Sequence, residues 1–322
     1  MVQRVKNKKS GIRIFVTFIF VVVIAAFVYK SIIIPENITP GTSYDGKTPV
    51  PSLKTDPNLY VSIIPDKLRS PNAILIRLDD NTILMEKKSG EKIYPASLTK
   101  MMTAIVAIEN LPDLKEEIKI TSSTFQGLYE AGASMAGFQP GETIRAIDLL
   151  YGAMLPSGAE ACIGLADQIA GSEQNFVVMM NQKASELGMD NTHFENTTGF
   201  HDKNHYTTVK DLSVLLIYAL KNDTFREIFT SPRHSTQPTN KHPEGITFHS
   251  TMFAKLNNQN IIDGELLGGK TGYTGEAGLC LASLAKVGKQ EYILISVGAK
   301  GDHYSEQYNI TDALTVYNSI GK

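Results

Sequence analysis

The sequence predicts an α+β domain: one antiparallel sheet built from both ends of the folded chain, with a helical block between them. Three observations support this class. Short strand-like runs come early, the middle of the chain has helical periodicity, and strand-like runs return near its end. A repeating β-α-β order would instead indicate a parallel sheet. The sequence contains no internal repeat.

The chain begins with a basic segment followed by an apolar one. The basic residues are Arg4, Lys6, Lys8, Lys9 and Arg13. Residues 14–34 form a mainly apolar run of 21 residues, and about 20 such residues cross a bilayer. Because basic flanks stay in the cytoplasm, we predict a cytoplasmic tail at 1–13, a transmembrane anchor at 14–34 and an extracytoplasmic remainder. A cleaved signal peptide is the alternative, although Tyr29, Lys30 and Ile32 stand where small residues would be expected.

Residues 35–66 are rich in Pro, Thr, Ser, Asp and Asn, which is typical of a stalk or linker. Residues 67–322 then form the predicted folded domain. The formal net charge of −2 gives no indication of a nucleic-acid partner. Cys162 and Cys280 are the only cysteines, which is too few for a disulfide framework, and we expect both to be buried.

The elements of this domain follow in order. Two strands joined by a hairpin turn at Asp79-Asp80-Asn81 open it. A buried helix begins at Ser97 and ends near Asn110. The remaining predictions are helices at 144–170 with a break near Pro156, at 173–187 and at 208–221, strands at 266–273, 279–286 and 291–297, and a helix after Tyr304.

Ser97 and Lys100 lie three residues apart on the first predicted helix, so their side chains share one face. A serine hydroxyl becomes a nucleophile when a neighbour takes its proton, and a lysine can do so where burial lowers its pKa. A capping serine followed by a solvated lysine is the ordinary explanation of such a pair.

Two further motifs follow in the chain. Ser157-Gly158-Ala159 precedes an apolar helical run, and Lys270-Thr271-Gly272 lies on a strand-like segment. Each alone is compatible with a cap or a turn. The order S-x-x-K, S-x-x, K-T-G is the signature of penicillin-binding proteins and class A β-lactamases.

Together these residues resemble the low-molecular-mass serine D-alanyl-D-alanine carboxypeptidases of the penicillin-binding protein family. The resemblance covers about residues 70–297 and includes the segments 95–103, 161–172 and 201–208. It implies the DD-peptidase/β-lactamase-like transpeptidase fold. It also implies peptidoglycan stem peptides ending in D-Ala-D-Ala as substrates, β-lactams as covalent inhibitors, and no cofactor or metal.

The resemblance also implies a role for each site residue. Ser97 would attack the carbonyl between the two D-alanines, with Lys100 as general base, and Ser157 would relay a proton to the leaving amine. Lys270 and Thr271 would hold the substrate carboxylate. The backbone N–H groups of Ser97 and Tyr273 would form the oxyanion hole, and Gly272 would permit a close approach.

One position departs from the family pattern. Asparagine is usual at the third place of the second motif, where this chain has Ala159. An alternative function is therefore a penicillin-binding scaffold or sensor with weak turnover.

Two other enzymes are further alternatives. A class A β-lactamase needs a glutamate in the second half of the domain to activate the water that hydrolyses the acyl-enzyme, and Glu195 is the candidate. A zinc peptidase could use His201 and His205, although no further ligand pattern accompanies them. The sequence and the resemblance together predict a single-pass protein of a bacterial cell membrane, with an extracytoplasmic catalytic domain that acts in peptidoglycan biosynthesis and cell shape.

Overall fold

The structure of the chain is a computed structural model. It describes residues 50–55, 65–256 and 258–320. The predicted cytoplasmic tail and anchor, residues 1–34, lie outside the described residues, as does most of the predicted linker. Within the described ranges, no helix is both long and apolar enough to cross a membrane.

A large antiparallel sheet dominates the fold. The described strands are β1 Lys54–Thr55, β2 Asn72–Arg77, β3 Thr82–Lys87, β4 Glu117–Lys119, β5 Thr143–Arg145, β6 Arg233–Ser235, β7 Thr247–His249, β8 Asn260–Ile261, β9 Gly264–Thr274, β10 Gly278–Val287 and β11 Gln290–Ala299. Seven strands form the main sheet in the order β1-β3-β2-β11-β10-β9-β8, and β4–β5 and β6–β7 are separate pairs. The expectation that both ends of the folded chain build one sheet is confirmed.

One strand lies in the segment predicted as a linker. Lys54 and Thr55 pair in parallel with Thr82 and Ile83 of β3, whereas all other neighbours in the main sheet are antiparallel. This part of the segment therefore belongs to the edge of the sheet.

The helices occupy the middle of the chain and its last described turns. They are α1 Lys100–Asn110, α2 Ala146–Met154, α3 Ala159–Ala170, α4 Glu173–Glu186, α5 Val209–Ala219, α6 Asp223–Thr230 and α7 Tyr308–Tyr317. The predicted break near Pro156 separates α2 from α3, and α6 was not predicted. Cys162 and Cys280 are buried free thiols, as expected.

The core lies on both faces of the sheet. In β2, Ile74 and Ile76 belong to the large cluster shared with helices α1 to α6, whereas Ala73 and Leu75 belong to a second cluster shared with α7. Alternate residues of a strand point to opposite faces, so the nearly unbroken apolar run of β2 is buried on both sides. Helices therefore cover both faces of the sheet.

The outer edge of β9 is mostly free of a strand partner. The short strand β8 pairs only with Gly264 and Glu265 at its beginning. Among the described residues, no strand pairs with 266–274 on that side. The turn that carries Ser97 packs against this stretch instead. The open edge thus forms one wall of a cleft between the sheet and the helices.

Candidate active site

Ser97 lies in a tight turn directly before the first long helix. Residues Ala96–Thr99 form one turn of 3-10 helix, and α1 starts at Lys100. The Nζ atom of Lys100 donates to Oγ of Ser97 over 3.1 Å. The predicted contact between these side chains is confirmed, although the α-helix starts three residues later than expected. No side chain caps the start of this turn or the start of α1, so Ser97 is not a capping residue.

The surroundings of Lys100 favour an uncharged amine. The side chain is buried, and its Nζ donates a second hydrogen bond to the carbonyl oxygen of Thr198 over 2.6 Å. Burial lowers the pKa of this amine, while the charges of Cys162 and Glu160 oppose the change. The lowered pKa favours the uncharged amine, which is the form that can accept the hydroxyl proton of Ser97.

The second and third motifs meet through a single hydrogen bond. The Nζ atom of Lys270 donates to Oγ of Ser157 over 3.0 Å and to the carbonyl oxygen of Thr271 over 2.9 Å. Lys270 is fully buried, and this burial is the main reason why its pKa lies well below the ordinary value. Ser157 is not the cap of α3, because that position belongs to Gly158. Its hydroxyl therefore links the helical block to the sheet.

Backbone strain accompanies these serines. Ser157 has a φ of +69°, and Ala96, next to Ser97, has a φ of +47°. Residues other than glycine rarely adopt positive φ values, and strained residues of this kind cluster at functional sites. The packing around both motifs therefore holds Ala96 and Ser157 in an unfavourable backbone conformation.

Gly272 allows β9 to approach the nucleophile turn. A Cβ atom at this position would lie 3.0 Å from the backbone nitrogen of Ser97 and 3.2 Å from Cβ of Ala96. Any larger residue would push the strand away from Ser97. The backbone nitrogens of Ser97 and Tyr273 therefore lie on adjoining elements, as an oxyanion hole requires. On the same strand, the Thr271 hydroxyl is bonded to that of Thr251 over 2.6 Å.

A cavity of about 410 Å³ opens over Ser97. Its walls are Ser97, Lys100, Ala159 and residues 131–134, 198–201, 273–276 and 303. Ser157, Lys270, Thr271 and Gly272 are not among the lining residues. The contact of Lys270 with a substrate carboxylate stays a prediction; in this structure its Nζ atom donates to Ser157 and Thr271.

Ala159 forms part of the cavity wall beside Lys100. Its backbone nitrogen donates to the carbonyl oxygen of Ser134 over 2.8 Å, and its methyl group faces the cavity with 2% exposure. The methyl group can neither donate to a bound peptide nor accept from Lys100. The departure read from the sequence thus changes the chemistry of the cleft itself.

Asn196 is a functional residue that the sequence did not identify by role. Its Oδ1 atom accepts from the backbone nitrogens of Thr198, Gly199 and Phe200 over 3.2, 2.7 and 3.1 Å, and its Nδ2 donates to the Phe200 carbonyl over 3.0 Å. These bonds fold the loop whose Thr198 carbonyl receives Lys100. Asn196 therefore positions Lys100 through the loop.

Glu160 is a second residue whose role the sequence did not identify. Its Oε1 atom accepts from the backbone nitrogens of Ala136, Gly137 and Phe138 over 2.7, 2.9 and 3.3 Å. Its Oε2 atom is buried without a hydrogen-bond partner among the described residues. Burial raises the pKa of this carboxyl group. Glu160 ties the segment after the cavity wall 131–134 to the second motif.

The residues of the rival enzymes lie in other settings. Glu195 pairs with His193 over 3.3 Å at the surface, so it does not activate water at Ser97. Both ring nitrogens of His205 have partners, Thr99 Oγ1 and the Glu195 backbone nitrogen. In the described part of the chain, no group of three or more His, Cys, Asp or Glu side chains is placed to hold a metal ion.

Comparison with known proteins agrees with this geometry. Residues 60–301 match the family model described as D-alanyl-D-alanine carboxypeptidase. The chain is 34% identical over 228 residues to DacF of Bacillus subtilis, covering 71% of this chain and 57% of that protein. It is 32% identical over 237 residues to DacC of Escherichia coli, covering 71% and 56%. The chain thus spans a little over half the length of these curated relatives.

Solved structures share the fold. The crystal structure of the Streptomyces K15 DD-transpeptidase superposes with a TM-score of 0.71 at 26% identity, covering 80% of this chain and 98% of that one. On the match of its sequence over most of the folded region, the chain belongs to the D-alanyl-D-alanine carboxypeptidase family.

Proposed function

We propose that this protein is a serine-type D-alanyl-D-alanine carboxypeptidase that removes the terminal D-alanine from peptidoglycan stem peptides. The observation that carries the proposal is the buried Lys100 amine, which lies 3.1 Å from the Ser97 hydroxyl in an open cavity. Burial lowers the pKa of this amine, which favours the neutral form that can act as a base toward the nucleophile.

The first half of the reaction forms an acyl-enzyme. Lys100 takes the proton of Ser97 as Oγ bonds to the carbonyl carbon between the two D-alanines. The backbone N–H groups of Ser97 and Tyr273 donate to the developing oxyanion. The C–N bond then breaks, Ser157 passes its proton to the leaving amine and takes up the proton held by Lys100, and D-alanine departs, which leaves Lys100 neutral again. Lys270 hydrogen-bonds the Ser157 hydroxyl and polarises it for this transfer.

The second half of the reaction regenerates the free enzyme. A water molecule attacks the ester carbonyl while Lys100 takes one of its protons, and the bond to Oγ breaks. The proton returns to Ser97, and the shortened peptide leaves as a carboxylate. β-Lactams would form the same kind of ester and act as covalent inhibitors.

The proposal includes the location of the protein. The basic tail and the apolar run at residues 14–34 support a single-pass anchor in a bacterial cell membrane, with the catalytic domain outside. Peptidoglycan lies on that side of the membrane. A protease added to intact cells without a wall should cleave the domain and leave a short membrane-bound fragment. A chain that resists protease until the cells are lysed would contradict the location.

The test of the activity is release of free D-alanine from a diacyl-L-Lys-D-Ala-D-Ala peptide by the full chain in detergent. We expect release that penicillin blocks and that Ser97→Ala abolishes. Ser122→Ala serves as the matched control, because Ser122 is exposed and does not line the cavity. Labelling of Ser97 by penicillin without release of D-alanine would instead support a scaffold or sensor with weak turnover.

A further inference from the structure

The mouth of the cavity carries a carboxylate whose role the reaction does not explain. Glu276 lies in the turn between β9 and β10 and lines the cavity over Ser97. Its side chain is 49% exposed, and its Oε2 atom lies 4.0 Å from Nδ1 of His201. Among the described residues, no lysine or arginine forms an ion pair with it. The carboxylate is therefore open to a cation that enters the cleft.

Two histidines on aromatic rings flank this carboxylate. His201 packs edge-on against Tyr94 with the ring centres 4.6 Å apart, and His303 packs edge-on against Tyr273 at 4.9 Å. Both histidines line the same cavity as Glu276. Ring contacts of this kind restrict how the imidazoles can rotate. The mouth therefore has a defined shape, with the negative charge on the β9–β10 turn.

The direction of β9 shows which part of a bound peptide reaches Glu276. The Lys270 end of the strand lies by Ser157, and Tyr273 lies by the nucleophile. A peptide that pairs antiparallel with the open edge of β9 runs from its C-terminus near 271 toward its N-terminus near 274 and the turn. Residues along an extended chain are about 3.3 Å apart. The residue before the two D-alanines therefore lies beside Thr274, with Glu276 within reach of a long side chain.

We infer that Glu276 binds a cationic side chain on the substrate residue that precedes the two D-alanines. Resting on the proposed function, this inference assigns to it a specificity-determining residue: Glu276 selects among stem peptides by the charge on their third residue. An ammonium group at the end of a flexible side chain would approach Glu276 from the cavity side. The pair is partly exposed, so its effect on specificity is modest and depends on salt.

The experiment compares three substrates that differ only at that amine. They are acyl-L-Lys-D-Ala-D-Ala peptides with the side-chain amine free, acetylated or succinylated, and D-alanine release by the full chain gives kcat/KM for each. We expect the native protein to prefer the free amine over the acetylated form by about fivefold, with the succinylated form lowest. The preference should shrink as the salt concentration rises.

Substitutions at Glu276 then assign the preference to this residue. Glu276→Gln should remove it, and Glu276→Lys should favour the succinylated peptide over the free amine. Glu117→Gln is the matched control, since Glu117 is exposed on β4 away from the cavity and should retain the native preference. The rate at which benzylpenicillin acylates Ser97 is measured in Glu276→Gln as well, because that compound carries no amine to meet Glu276. This rate also shows that the variant is folded.

Two outcomes would overturn the inference. Equal kcat/KM for the free and acetylated peptides in the native protein is one, and a preference that persists in Glu276→Gln is the other. In both cases D-alanine is still released, so the proposed function stands. Release from none of the three substrates would overturn the proposed function and this inference together.

Discussion

The Nε2 atom of His205 lies 2.8 Å from Oγ1 of Thr99, within the turn that presents Ser97. The other ring nitrogen, Nδ1, accepts from the backbone N–H of Glu195 over 3.1 Å. Nδ1 therefore carries no proton, and the neutral ring donates from Nε2 to Thr99. Protonation of Nδ1 would break the bond to Glu195. A buried, uncharged histidine thus connects the nucleophile turn to the loop that follows α4.

This histidine should make stability depend on pH. Burial lowers the pKa of His205 from 6.5 to about 4, so the unfolded chain binds the proton first as the pH falls. The contribution of the neutral His205 to the free energy of unfolding is fully present above about pH 6.5. It is lost as the pH falls toward 4, which lowers the free energy of unfolding by up to about 3 kcal/mol. Urea unfolding at several pH values in this window should show a shallower pH dependence for His205→Asn than for the native protein. His249→Asn, at an exposed position of β7, should keep the native dependence.

The pH profile of catalysis tests the role of Lys100. The neutral amine is the base, so kcat/KM should rise with pH and level off above the pKa of Lys100. Because burial lowers that pKa, the plateau should begin below the ordinary lysine value of 10.5. A rate that still rises through pH 10.5 would count against Lys100 as the base.

Replacing Lys100 by arginine, a basic side chain of similar length, should abolish turnover. A guanidinium group cannot give up its proton in a protein, and loss of a general base costs about 100-fold or more. The measurement is kcat/KM for D-alanine release, together with the rate of penicillin acylation. Lys210→Arg, on the exposed face of α5, should leave both unchanged; near-native turnover in Lys100→Arg would refute the prediction.

Removal of the Asn196 side chain should disturb the base without touching the substrate. Asn196→Ala loses the bonds that shape the Thr198 loop, so we expect destabilisation by about 1–3 kcal/mol and a lower kcat. Asn196→Asp keeps the accepting oxygen and should retain more of both properties. Thermal unfolding and the acid limb of the kcat profile measure the two effects. Equal behaviour of the two variants would show that the accepting oxygen is not the important group.

An amide at position 159 should raise turnover. Ala159 faces the cavity with a methyl group, and an asparagine there could bond both Lys100 and a substrate carbonyl. One such hydrogen bond contributes about 1 kcal/mol, so we expect kcat on the D-Ala-D-Ala peptide to increase several-fold in Ala159→Asn. Ala131→Asn adds the same group at another point of the cavity wall and should give no increase. An unchanged or lower rate in Ala159→Asn would contradict the prediction.

The sequence was informative where its pattern is periodic. The hairpin of β2 and β3, the long helices and the three late strands all follow from apolar spacing and turn residues. Helix α6, Asp223–Thr230, was missed because it is only eight residues long and follows α5 closely, although Phe225, Ile228 and Phe229 are buried at helical spacing. The helix begins after Asn222, whose side chain accepts a hydrogen bond from the Phe225 backbone nitrogen over 3.0 Å.

The site was predictable only as far as side chains carry its chemistry. Ser97, Lys100, Ser157 and Lys270 could be named because their three motifs follow one another in the order of a known family signature. The Thr198 carbonyl that receives Lys100 belongs to the backbone, which has no residue identity to read. Glu160 likewise accepts from backbone nitrogens more than 20 positions away. Neither contact leaves a pattern along the chain.

The bond between Ser157 and Lys270 joins residues 113 positions apart. It can form only after the last strands have paired and the helical block has docked on them. Contacts between distant parts of a chain form slowly, because the intervening loop must close first. In a refolding experiment, hydrolytic activity would therefore return with the slowest phase, after helical signals have recovered. The newly made protein would not cleave cell-wall peptides until the domain is complete.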